Sequence, residues 1–253
     1  MKTINFWRKT AMTLTLQHVT GGYGPIPVLK DISFEIHDHE LVGLIGLNGA
    51  GKSTTIKEIM GLLQPQSGTI TLDGLSLKKD PQAYRQKIGY IPETPVLYEE
   101  LTLKEHIEIT AMAYDIAPEV ARERAANLLK VFRLENRIDW FPANFSKGMK
   151  QKVMILCALI TEPSLLIVDE PFLGLDPLAI HALLQLFGEM KQRGVSILMS
   201  THVLATAQQH CDRFIILHEG QIRAQGTIAD LQQEFDLPEA SLDDIYLALT
   251  KEA

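Results

Sequence analysis

The stretch Gly46-Leu47-Asn48-Gly49-Ala50-Gly51-Lys52-Ser53 decides how this chain is read. It follows the apolar run Leu41-Val42-Gly43-Leu44-Ile45 and precedes Thr54-Thr55-Ile56-Lys57-Glu58-Ile59-Met60, whose pattern is helical. A G-x-x-x-x-G-K-S sequence set between a strand and a helix predicts a phosphate-binding loop. Gly46, Gly49 and Gly51 let the backbone approach phosphate oxygens where a Cβ would clash. The loop amides, through Asn48 and Ala50 to Thr54 in the first helical turn, supply donors and a partial positive charge. Lys52 adds a full charge near the β- and γ-phosphates, and the Ser53 hydroxyl is placed to ligate Mg²⁺. The expectation is a nucleotide triphosphate site.

With 253 residues and 46% hydrophobic content, the chain is long enough for one large α/β domain, or one domain carrying a subdomain. Its net charge of −7 argues against a nucleic-acid surface, and no nucleic acid is expected as a partner. Cys157 and Cys211 are the two cysteines, and Cys157 lies inside the apolar run Val153–Ile160 as a small hydrophobe. That run falls far short of the roughly 18–20 residues a membrane-spanning helix needs. Residues 1–11 are basic but lack a signal-peptide apolar core. They are expected to form a flexible extension, with Met12 opening the folded part.

Outward from the loop, Thr13–His18 alternates like a strand, Gly21–Pro25 reads as a turn, and Ile32–Ile36 reads as a second strand. His37-Asp38-His39-Glu40 is expected as a polar hairpin; no Cys or carboxylate cluster of suitable spacing makes its histidines metal ligands. Thr69–Leu72 and Ile88–Ile91 are short strand candidates. From about Leu101 to Thr161 the pattern is helical, and from Thr227 onward it is helical again, broken at Leu237-Pro238. Leu165–Val168, Val195–Met199 and Phe214–Leu217 read as strands buried on both faces.

Leu165-Leu166-Ile167-Val168-Asp169-Glu170 is an apolar strand ending in two carboxylates. At the carboxyl end of a parallel strand beside a phosphate loop, Asp169 is placed to hold Mg²⁺. Glu170 is then placed to orient and deprotonate an attacking water. Ser196-Ile197-Leu198-Met199-Ser200-Thr201-His202 brings a histidine to the end of the next such strand. Ser146, within Asn144-Phe145-Ser146-Lys147-Gly148-Met149-Lys150-Gln151, is well placed to cap a helix running through Ile160. With the small Gly148 beside it, this helix start is a second anion site. One triphosphate needs one cradle, so the second points to a nucleotide held by another subunit.

These motifs, in this order, resemble the ATP-binding subunit of an ABC transporter over roughly residues 12–225. The resemblance implies an α/β P-loop ATPase core with a mainly parallel sheet, an antiparallel β subdomain and a helical subdomain inserted at about 95–162. A helical tail would follow at 226–253. It implies that Tyr23 stacks on adenine, that His202 contacts the γ-phosphate, and that Asp176, in the turn Gly174-Leu175-Asp176-Pro177, borders the nucleotide. It also implies ATP and Mg²⁺ as ligands, hydrolysis, an integral membrane permease as partner, and a second ATP-binding subunit, identical or related. Such a subunit works at the cytoplasmic face of the membrane. Two positions depart from the family pattern. Phe145-Ser146-Lys147-Gly148-Met149 replaces the common Leu-Ser-Gly-Gly-Gln, keeping the serine and second glycine. Glu93 replaces a usual glutamine and brings an oxygen ligand for Mg²⁺ together with negative charge. Both variants, and the tail Leu242–Thr250, resemble export-type bacterial subfamilies such as the Ecs type. An ABC-type ATPase acting on ribosomes or DNA is the alternative. A GTPase would need an Asn-Lys-x-Asp motif, which the sequence lacks.

Overall fold

The computed structural model describes residues 14–251, so the expected extension at 1–11 and the start at Met12 lie outside the described residues. β1 (Leu14–Gly21) and β2 (Leu29–Ile36) alternate buried and exposed positions, as strands with one covered face do. β3 (Leu41–Ile45) is buried at every residue and leads into the phosphate loop and α1 (Lys52–Ile59). β4 (Ser67–Leu72) returns to the first two strands, forming an antiparallel sheet of order β2-β1-β4.

A short helix, α2 (Pro81–Gln86), precedes β5 (Ile88–Ile91). Three helices follow: α3 (Leu103–Ala113), α4 (Pro118–Phe132) and α5 (Lys147–Ile160). α3 starts with a reciprocal capping box between Thr102 and Glu105. The chain then alternates through β6 (Leu165–Asp169), α6 (Pro177–Gln192), β7 (Ser196–Thr201), α7 (Leu204–His210) and β8 (Arg213–His218). β9 (Gln221–Gly226), α8 (Ile228–Glu234) and α9 (Leu242–Lys251) complete the described chain. The second sheet has order β5-β6-β7-β3-β8-β9, parallel except for β9.

One expectation is corrected. His37–Glu40 is not the tip of a hairpin, because β2 pairs with β1 while β3 pairs with β7 and β8. β3 is apolar on both faces and is stable only between other buried strands, whereas β2 covers one face. The four residues therefore carry the chain from one sheet to the other. Glu40 holds the turn, accepting the His37 N–H at 2.5 Å and pairing with Arg213 at 3.1 Å.

Three cores result. Leu14, Phe34, Ile56 and Leu72 lie between the two sheets with β3 residues Val42 and Leu44. Helices α3 to α5 share a second core with Leu166, Val168, Ile197 and Phe187, so their apolar contact with the parallel sheet is continuous. The tail forms a third: Leu242, Ile245 and Tyr246 of α9 pack with Ile45, Phe214 and Ile216.

Candidate functional site

β6, β7 and β3 lie side by side in parallel, with Asp169 opposite Ser200 and Ile45 opposite Thr201. β5 flanks β6 in the same direction. The segments leaving these four strands thus open on one edge of the sheet: Glu93, then Glu170, then His202, then the Gly46–Ser53 loop. The crevice outside the carboxyl ends of parallel strands is where such sheets bind ligands.

The loop turns through Gly51, whose φ of 114° opens α1 in a conformation closed to L side chains. No acidic residue lies in the first turn of α1, so no side chain of that turn offsets the partial positive charge of its amides. Lys52 is buried and its Nζ donates to the Gly46 carbonyl at 2.7 Å, lying along the inside of the loop. Asn48, Gly49 and Ser53 are exposed, while Ala50 and Thr54 are buried against the fold. The residues expected to face phosphate thus share one loop and the first turn of α1.

Asp169 is buried and accepts a short hydrogen bond from the Ser200 hydroxyl. Burial raises its carboxyl above the ordinary value. The Ser200 bond and the Lys52 and Lys57 charges oppose that rise, and the Glu170 charge adds to it. Tyr90 is pushed up to about 12 by burial, then by the negative charges of Asp169 and Glu93. Asp169, Glu170, Lys52 and Glu93 thus belong to one electrostatic group.

Glu170 adopts φ 47°, in the left-handed region, and its amide donates to the Ser200 carbonyl at 3.1 Å. Such strain costs about 1–3 kcal/mol and persists where surrounding contacts enforce it. The turn aims the Glu170 carboxylate at His202, whose Nδ1 lies 2.8 Å from Oε1. The carboxylate is mostly covered and the imidazole half exposed, at 10% and 53%. A base held by a hydrogen-bond partner at a strand end is an arrangement suited to activating water.

Tyr23 is exposed in the turn after β1, with its hydroxyl 3.0 Å from Lys57 Nζ and that ammonium 5.1 Å from the ring centroid. It offers an aromatic face beside α1, the helix that opens from the phosphate loop.

Ser146, Gly148 and Asp176 form a second group. Ser146 caps α5 by accepting the Met149 N–H at 3.3 Å. A Cβ on Gly148 would stand 2.4 Å from the Gly174 carbonyl oxygen, so the start of α5 and the turn after Glu170 touch through backbone. Asp176 caps α6 through Ala179 N–H at 2.9 Å and pairs with Lys152 of α5 at 2.8 Å. The Lys152 contact holds its carboxyl below the ordinary value. Among the described residues no hydrogen bond or ion pair joins this group to the Gly46–Ser53 loop.

Sequence reasoning missed three residues that position the site. Ser200 is paired with Asp169 by strand register, which a single sequence does not display. Lys152 ties the second group together. Gln151, buried in α5, donates to the Pro92 carbonyl at 3.0 Å and links that helix to the segment carrying Glu93. Among the described residues no three His, Cys, Asp or Glu side chains converge as a metal cluster, and no helix is long and apolar enough to cross a membrane.

The family described as "ABC transporter" matches residues 29–173. The "ABC-type transporter ATP-binding protein EcsA" of Bacillus subtilis (strain 168) is 59% identical over 239 residues, covering 94% of this chain and 97% of that protein. The "Nod factor export ATP-binding protein I" of Burkholderia orbicola (strain AU 1054) is 34% identical, covering 84% of this chain and 70% of that protein. Among solved structures, an ATP-binding subunit of an ABC transporter superposes with a TM-score of 0.92 at 55% identity, covering 94% of this chain and 99% of that one. A dimeric ATP-binding cassette in a post-hydrolysis state, bound to ADP and Pi, superposes with a TM-score of 0.77 at 27% identity, covering 85% and 98%.

Proposed function

Because the chain belongs to the ABC transporter family as an ATP-binding subunit, we propose that it drives a separate membrane permease by closing on a second ATP-binding subunit around ATP. It is an ATPase, as the cassettes of this family are. One observation carries the proposal: the Gly46–Ser53 loop and the Ser146, Gly148 and Asp176 group are two separate helix-start surfaces of one chain, with no hydrogen bond or ion pair joining them among the described residues. Two such subunits placed head to tail would each offer the loop to one face of the nucleotide and Ser146 with Gly148 to the other.

Within this reading, Lys52 and the loop amides beyond Leu47, through Thr54, bind and orient the phosphates, and Tyr23 faces the adenine. Glu170 takes the proton from the attacking water, and His202 orients that carboxylate and meets the γ-phosphate. The residues fit a magnesium ion: a buried carboxylate fixed by Ser200, a free-standing Ser53 hydroxyl at the helix start, and Glu93 in the same electrostatic group. Ser53, Asp169 and Glu93 would hold it, and it would offset the charge on the β- and γ-phosphates.

The permease would dock on the exposed apolar side chains Val96, Tyr98 and Met112, which lie beyond β5 and on α3. Gln151 connects that region to the start of α5, so closure at Ser146 would be felt there. The chain would sit at the cytoplasmic face of the membrane through this contact. An export direction is supported by the relative named for Nod factor export. Mild-detergent purification of the tagged chain from membranes of its native cells tests the assignment. Stoichiometric recovery of a multi-spanning membrane protein is expected. Recovery with ribosomal or DNA-bound proteins and no membrane protein would overturn the transport role.

A further inference from the structure

The C-terminal helix reaches into the phosphate loop. The backbone N–H of Leu47 donates to the Tyr246 hydroxyl at 2.9 Å. Leu47 follows Gly46 directly, and its carbonyl is engaged as well, accepting from Ala50 N–H at 3.1 Å and from Lys52 Nζ at 3.4 Å. The Tyr246 ring is buried among Ile45, Ile216 and Ile245, so its hydroxyl is held by packing and does not swing freely. At its other end α9 is tied to α7: Leu242 N–H donates to Gln208 Oε1 at 2.7 Å. α7 is the helix that follows His202. One helix thus grips both the loop at the end of β3 and the helix behind the strand-end histidine.

We propose that Tyr246 is a positioning residue for nucleotide binding. Its hydroxyl fixes the Leu47 amide, so the loop holds the shape that presents the next amides to phosphate, and seating of α9 is coupled to nucleotide affinity. This rests on the reading that Gly46–Ser53 cradles ATP. Coupling between two sites is reciprocal, so nucleotide must in turn tighten α9 onto the core.

The test uses the full-length chain and Tyr246→Phe, which keeps the ring and removes the hydroxyl. ADP affinity is measured by calorimetry with magnesium present, and amide hydrogen exchange is followed over α9 with and without ADP. The expected result is a Kd for ADP raised about threefold to tenfold, the worth of one hydrogen bond to a loop amide. Exchange over α9 slows with ADP in the parent chain and slows less in the variant. A purely structural tyrosine would lower the melting temperature and move neither reading. An unchanged Kd together with α9 exchange indifferent to ADP overturns the proposal. Failure of the parent chain itself to bind ADP would instead sink the reading of the cradle on which it rests.

Discussion

His202 Nδ1 stands 2.8 Å from Glu170 Oε1, across the ends of two neighbouring parallel strands. The contact exists because Glu170 turns into the left-handed region directly after Asp169, and Ser200 catches its amide. The same Ser200 holds Asp169 through its side chain. One residue of β7 therefore sets two carboxylates with different surroundings: Asp169 fixed and buried, Glu170 aimed at the open edge.

Glu170→Gln keeps the shape and the hydrogen-bonding reach of the side chain but cannot accept a proton from water. ATP binding, measured by calorimetry, is expected to survive. Steady-state phosphate release is expected to fall by about 10²–10⁴-fold, the usual contribution of a general base. Normal turnover in this variant would show that another group activates the water.

Gly148→Ala places a methyl against the Gly174 carbonyl, which is backbone and cannot swing away. The start of α5 or the turn after Glu170 must shift, at a cost of about 1–3 kcal/mol typical of overpacking. Thermal melting is expected to drop, and turnover is expected to fall further than affinity for ADP. An alanine variant with parental melting and turnover would mean that this contact has slack.

Glu58 lies in α1, fully buried, with neither carboxylate oxygen hydrogen-bonded among the described residues. It packs against the backbone of Gly21, beneath the turn that carries Tyr23. Burial lifts its carboxyl from an ordinary 4.5 to about 7. Between those values the folded chain keeps the proton and the unfolded chain has lost it, so stability falls as pH rises through this window and levels off above it. The total loss is on the order of 3 kcal/mol. Glu58→Gln removes the titration. Its melting temperature relative to the parent is expected to climb between pH 5 and pH 8, and a difference independent of pH would contradict the burial argument.

Much of this was legible because the chemistry is local. The strand, loop and helix around Lys52 read off one contiguous stretch, as did the carboxylate pair after Leu165–Val168 and the Ser146 cap. What was hidden depends on register or distance. Ser200 meets Asp169 through cross-strand pairing, and Tyr246 meets Leu47 through the whole length of the fold. β9, Gln221-Ile222-Arg223-Ala224-Gln225-Gly226, has no apolar run because it is the edge strand of its sheet, paired there with β8. His37–Glu40 misled because turn residues say that the chain reverses, not which strand it will pair with.

The most direct test of the account places a photo-reactive amino acid at Ser146 in the Glu170→Gln chain, within the complex recovered from membranes. With magnesium and ATP, irradiation is predicted to join position 146 to the phosphate loop of a second ATP-binding subunit, and ADP is predicted to abolish that product. A cross-link within the same chain, or none with ATP bound, would contradict the head-to-tail closure on which the proposed function stands.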